Sequence, residues 1–88
     1  MSGDLERLWE LEREIDRLDR LIEWKEKDYW KVIEKACELI EQGAPYDVLK
    51  DEEERILKQI EELERKRDEL IRRENEILKK ILRGEEVG

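Results

Sequence analysis

Histidine, phenylalanine and threonine are absent from this chain, and cysteine, proline, serine and asparagine occur once each. Each gap removes a class of chemistry. Without histidine there is no thiol–imidazole pair for nucleophilic catalysis and no His-ligated metal site. Paired glutamates on facing helices can hold two metals in bundles, but that arrangement needs a Glu-x-x-His motif. There is no Gly-rich phosphate loop and no nucleophile elbow, and Ser2 is the one small hydroxyl. The expectation is a protein that is not an enzyme, with no catalytic residue, cofactor or metal.

Other gaps bear on location. Cys37 has no second cysteine to pair with inside the chain. A buried or half-buried small side chain is expected there, with an intermolecular disulfide or a labelling handle as alternatives. No run of about 18 apolar residues exists, so no transmembrane helix is expected. Met1-Ser2-Gly3-Asp4 has neither a basic start nor an apolar stretch, so no signal peptide is expected. A soluble cytoplasmic protein is the reading.

What is present is charge. Charged residues make up 52% of the 88, apolar residues 38% and aromatics 6%. The net charge of −8 argues against nucleic acid as a partner, because phosphate binding needs cations. It argues equally against an anionic membrane surface. Acidic and basic residues are mixed along both halves, as on solvated helix surfaces laced with ion pairs.

One interruption, Gly43-Ala44-Pro45, divides the sequence near its midpoint. Gly43 suits the left-handed position after a helix, and Pro45 cannot extend that helix. The pattern predicts a single domain over 1–88: a helix over 4–42, a turn over 43–47, a helix over 48–83 and a frayed tail over 84–88. Asp4 is the expected N-cap of the first helix, with Ser2 as the alternative. Asp47 or Asp51 would cap the second, with Glu54 completing a capping box for Asp51. Near-equal arms joined by a short loop pair as antiparallel neighbours.

Both arms keep a heptad frame. In the first, Leu8, Ile15, Ile22, Tyr29 and Ala36 occupy a, and Leu11, Leu18, Val32 and Leu39 occupy d. In the second, Leu49, Ile56, Leu63, Leu70 and Ile77 occupy d, with Ile60 and Ile81 at a. Leu5, Ile33 and Ile40, and Leu57, Ile71 and Leu78, fall at e. An a/d/e stripe is wider than a two-stranded seam and suits a bundle of more helices. The fold class expected is therefore all-α, an antiparallel coiled-coil-like hairpin associating into a four-helix bundle. A homodimer is the first partner reading, and the loop leaves domain swapping open.

Trp9, Trp30 and Cys37 stand at b, beside the e residues, and Trp24 stands at c on the other side. The predicted oligomer or partner interface comprises Leu5, Trp9, Trp30, Ile33, Ile40, Leu57, Ile71 and Leu78. Tryptophan there either covers the flank of a homo-oligomer or forms a hot spot for another helical protein. Lys25, Arg67 and Glu74 interrupt the stripe. They read as a polar layer that sets register, as long side chains that snorkel to the rim, or as a cationic pocket of Lys25 and Arg67. If residue i faces roughly residue 90 − i in such a hairpin, Arg67 meets Glu23 and Trp24, Glu74 meets Asp16 and Arg17, and Lys25 meets Arg65.

Two resemblances bear on these readings. Leu11-Glu12-Arg13-Glu14-Ile15-Asp16-Arg17-Leu18-Asp19 resembles the opening helix of the all-helical chorismate mutases, which carries an Ile-Asp-x-x-Asp rhythm. That resemblance implies a dicarboxylate substrate held by arginine and lysine residues, and a third helix. Lys27-Asp28-Tyr29 stands roughly where one such arginine is expected. The composition as a whole resembles a computationally designed helical bundle, rich in Glu, Arg, Lys, Leu and Ile and nearly free of Ser and Asn. It implies a structural, self-assembling role. An acidic helical module that binds another protein, or acts as a decoy for a basic one, is the alternative.

Overall fold

A computed structural model describes residues 3–84. They form two helices, α1 (Gly3–Glu41) and α2 (Asp47–Leu82), with no strand among the described residues. The helices lie antiparallel in a rod of 65 × 15 × 14 Å. Its radius of gyration is 19.7 Å, against about 12 Å for a globule of this length. The chain is a hairpin two helices thick, so every residue is near solvent.

Local sequence explains the breaks. Between Gly3 and Glu41 there is no proline and few β-branched residues, so nothing interrupts the 39-residue helix. Gly43 ends it at φ 70°. Its N–H donates to the carbonyl of Ile40 (3.0 Å), and that of Ala44 donates to Leu39 (2.8 Å). That pair of bonds is a Schellman motif, which satisfies carbonyls the helix would otherwise leave open. Pro45 follows where the chain turns into α2.

The helix starts differ from the expected caps. α1 already includes Gly3, so Asp4 lies inside the first turn, where its charge favours the positive end of the dipole. Ser2 and the tail residues 85–88 lie outside the described residues. α2 begins at Asp47, with Tyr46 in the N-cap position and no side-chain cap bond. Neither Asp47 nor Asp51 caps it. The Tyr46 carbonyl instead accepts from the N–H groups of Leu49 and Lys50 (3.0 and 3.1 Å).

The a and d positions face the seam, as the heptads require. Ile22, Val32, Ile56 and Ile60 form one buried cluster, with Tyr29, Leu49 and Leu63 packed against it. Leu18, Ala36 and Ile77 continue the buried line toward both ends. Ile22, the most covered core residue, still keeps 4% of its surface. The core is one side chain deep.

The register departs from the expected one by one to two helical turns. Arg67 lies against Asp19 rather than Glu23, and Lys25 against Gln59 rather than Arg65. Tyr29 reaches Glu53. The physical reason is the path of the connection. Placing i opposite 90 − i requires α2 to start level with, or beyond, the end of α1. The Schellman turn and Pro45 carry the chain back before α2 begins, so each residue of α1 meets an earlier residue of α2.

Gly43 gives a test. A Cβ there would touch nothing within 4 Å, so only the backbone conformation resists substitution. Gly43→Ala is expected to lower the unfolding free energy in urea by about 1 kcal/mol. Gly43→Asn should cost less, because asparagine tolerates the left-handed region.

Candidate interaction surface

In an antiparallel pair the e positions of both helices flank one side of the seam and the g positions flank the other. The side chains follow this division. Arg67, at a on α2, reaches Asp19 at e on α1 (3.2 Å), and on its own helix Asp68 at b (3.6 Å) and Glu64 at e (4.0 Å). These contacts place the e and b residues of both helices on a common flank. Arg7, Glu14, Arg73 and Lys80 line a shallow groove on the opposite, g side.

The predicted interface residues all sit on the e/b flank, in two groups. Near the turn are Trp30, Ile33, Ile40 and Leu57; near the open end are Leu5, Trp9, Ile71 and Leu78, with Leu82 beside them. Trp9 is 62% exposed and Trp30 59%. Leu5, Ile40, Leu57, Leu78 and Leu82 are exposed too, while Ile33 and Ile71 are half-buried against the seam. Trp30 packs edge-on to Tyr29 at 5.6 Å between ring centroids. The Arg13 guanidinium stands over the Trp9 ring at 5.1 Å. Both tryptophans still leave more than half of their surface open to solvent. Trp24 is exposed on the other side, beside Leu21, Lys25 and Asp28.

Cys37 is exposed, against the expectation of a buried or half-buried thiol. The seam accounts for this. Ala36 takes the buried a position, and one residue further turns the side chain about 100° away, onto the e/b flank.

The polar interruptions of the stripe are separate features rather than one layer. Lys25 is half-buried and its Nζ donates to Gln59 Oε1 (2.9 Å) on the g side. Arg67 turns to the e side, with 28% of its side chain exposed. Its Nε is buried and makes no hydrogen bond. The hydrogen bond to Asp19 raises the guanidinium pKa above its ordinary value, with Asp68 and Glu64 adding to the effect against desolvation. Lys25 and Arg67 therefore face opposite flanks and form no shared cationic pocket. Glu74 is half-buried further along α2, beyond the Arg67 cluster.

Charge is mixed along the chain but sorted around it. On α1, the b and e positions between Trp9 and Trp30 are Glu12, Asp16, Asp19, Glu23 and Glu26. On α2 the charged b and e positions are Asp47, Glu54, Glu61, Glu64 and Asp68, with Lys50 the one cation among the described residues. The other cations sit elsewhere, several beside carboxylates of their own helix: Arg17 with Glu14, Arg73 with Glu69 (3.2 Å), Arg55 with Glu52 (3.8 Å). Along α1 the e/b flank therefore reads apolar, acidic, apolar from end to end, while at the turn end α2 sets Asp47, Lys50 and Glu54 beside Leu57. The heptad frame contained that signal, because sorting charges by heptad position rather than by arm exposes it.

Among the described residues no group of three or more His, Cys, Asp or Glu side chains could hold a metal ion. No helix among the described residues is long and apolar enough to cross a membrane. The third helix of the chorismate mutases has no counterpart among the described residues. Among the described residues, fold and surface together define an all-α helical hairpin whose e/b flank carries most of its exposed large apolar side chains. Comparison with protein-family models, curated proteins and solved structures finds no match.

Arg67 is the cation that holds this flank's carboxylates to the seam. Arg67→Met keeps most of the packing stem and removes the charge. It should cost about 1 kcal/mol at low salt, and the loss should shrink as salt screens Asp19, Glu64 and Asp68. Urea titrations at two ionic strengths measure this, and an equal loss at both would assign the effect to packing instead.

Proposed function

We propose that this hairpin is a structural, non-catalytic protein that works by association, covering its e/b flank with a second helical surface. The observation that carries the reading is the exposure of Trp9, Trp30, Leu5, Ile40, Leu57 and Leu78 on one side of a rod only two helices thick. Tryptophan is enriched at interface hot spots, and two stand on this one flank. The lack of histidine and of any nucleophile–base pair supports a role without catalysis.

A second copy is one occupant. The width of the a/d/e stripe and the equal arms support a homodimeric four-helix bundle, closed within each chain or domain-swapped. Two copies laid flank to flank would bury their apolar ends. They would also set Glu12, Asp16, Asp19, Glu23 and Glu26 against the same residues of the other copy. Self-association is therefore expected to be weak at low ionic strength and stronger as salt screens that repulsion. The idealised composition is in keeping with a designed bundle, in which such assembly is the purpose.

Sedimentation equilibrium from micromolar to millimolar chain, at low salt and at about 0.5 M salt, where the screening length falls below about 5 Å, tests the homodimer. The expected result is an association constant that rises with salt. A chain that stays monomeric in both conditions removes a second copy as occupant.

A further inference from the structure

The order of chemistry along the flank is more specific than exposure alone. Trp9 and Trp30 are 21 residues apart in one unbroken helix, about 32 Å along its axis. Between them every charged b or e residue of α1 is acidic, and Glu61, Glu64 and Asp68 of α2 join the same belt across the seam. Arg67 meets Asp19, Glu64 and Asp68 with a single positive charge. Glu12, Asp16, Glu23 and Glu26 lie in the same belt, and all four are exposed. The turn end adds to the negative field. The last turn of α1 holds no cation, and Glu38 and Glu41 stand where the helix dipole favours one.

A second copy of this chain is a poor match for that pattern in either direction, because a two-fold axis near the middle of the rod sets belt against belt. A wholly apolar helix would bury the carboxylates without partners, which is costly. The complement is a helix with apolar residues at both ends and Lys or Arg between them, all on one face.

We propose that the e/b flank is a docking surface for a basic amphipathic helix of another protein. Its apolar ends, about 32 Å apart, would seat beside Trp9–Leu78 and Trp30–Leu57, and its central cations would lie over Asp16, Glu23 and Glu64. This rests on the reading that the hairpin works by association, and it adds the partner's chemistry. The middle supplies orientation and rate, since complementary charge steers encounter, and the ends supply the buried area.

The test uses three synthetic helices of about 30 residues, long enough to span the two ends. All carry leucine and isoleucine on one face of the terminal turns; the middle of that face carries lysine and arginine, glutamate, or alanine. Each is titrated calorimetrically into the full chain. The expected result is one-to-one binding of the basic probe, weakening steeply between low and high salt, with no binding of the acidic probe. Asp16→Lys with Glu23→Lys, both exposed and away from the seam, should weaken the basic probe by at least about tenfold. Helical content by circular dichroism should stay unchanged in that variant.

Equal binding of all three probes would overturn the proposal while keeping the association reading, since apolar ends alone would then suffice. Basic-probe binding that persists undiminished in the charge-reversed variant would also overturn it, by placing the site elsewhere. No binding of any probe, together with a monomer at every salt concentration, would overturn both readings. The sign of the salt effect separates the two occupants: self-association strengthens with salt, and docking of the basic helix weakens.

Discussion

Two helices can cover only the stripe that each turns toward the other, and everything else in this molecule follows from that limit. Each residue of α1 has one neighbouring helix, so a side chain one position off the seam is already in solvent. That is why the buried set stops at residues such as Leu18, Ile22, Val32, Ile56 and Ile60, and why none of them is fully enclosed. It is also why the apolar residues at e are half-buried at most, as Ile33 and Ile71 are, and otherwise exposed. A third or fourth helix is what an a/d/e stripe is suited to, and the hairpin does not contain one.

The polar residues respond to the same limit. Lys25 and Arg67 occupy seam positions without being trapped, because each is within reach of a flank. Lys25 bonds Gln59 on the g side, and Arg67 bonds Asp19 on the e side. Long stems packed on the seam with charged heads at the rim match the snorkelling geometry of such side chains. Arg67 does more than escape. By meeting carboxylates of both helices it joins α1 and α2 across the flank where acidic residues accumulate. Over the g and c positions of both helices acidic and basic residues balance, so that surface is largely self-neutralised.

Much of this was legible in the sequence. Gly43 and Pro45 marked the turn because left-handed backbone and a missing N–H are local properties, and local rules decide them. The seam was legible because heptads report which side chains share a face. The register was not. It depends on the path of the connection through Ala44 and Tyr46, and a shift of one turn leaves the apolar phase almost unchanged. Cys37 is exposed rather than buried because its b position points away from the seam. The acidic belt was hidden by counting charge along each arm, an average over faces whose sum is mixed even when one face is not.

In the proposed mode of association, an acidic belt divides an otherwise sticky flank and so decides what can cover it. The most direct measurement neutralises the belt without touching the seam or the Asp19–Arg67 contact. The chain carrying Glu12→Gln, Asp16→Asn, Glu23→Gln and Glu26→Gln is compared with the parent by sedimentation equilibrium at low salt and micromolar concentration. The neutralised chain is expected to dimerise more strongly than the parent, with at least about a tenfold gain in association. Equal association of the two chains would contradict it, because the carboxylates would then have no say in what the apolar ends may meet.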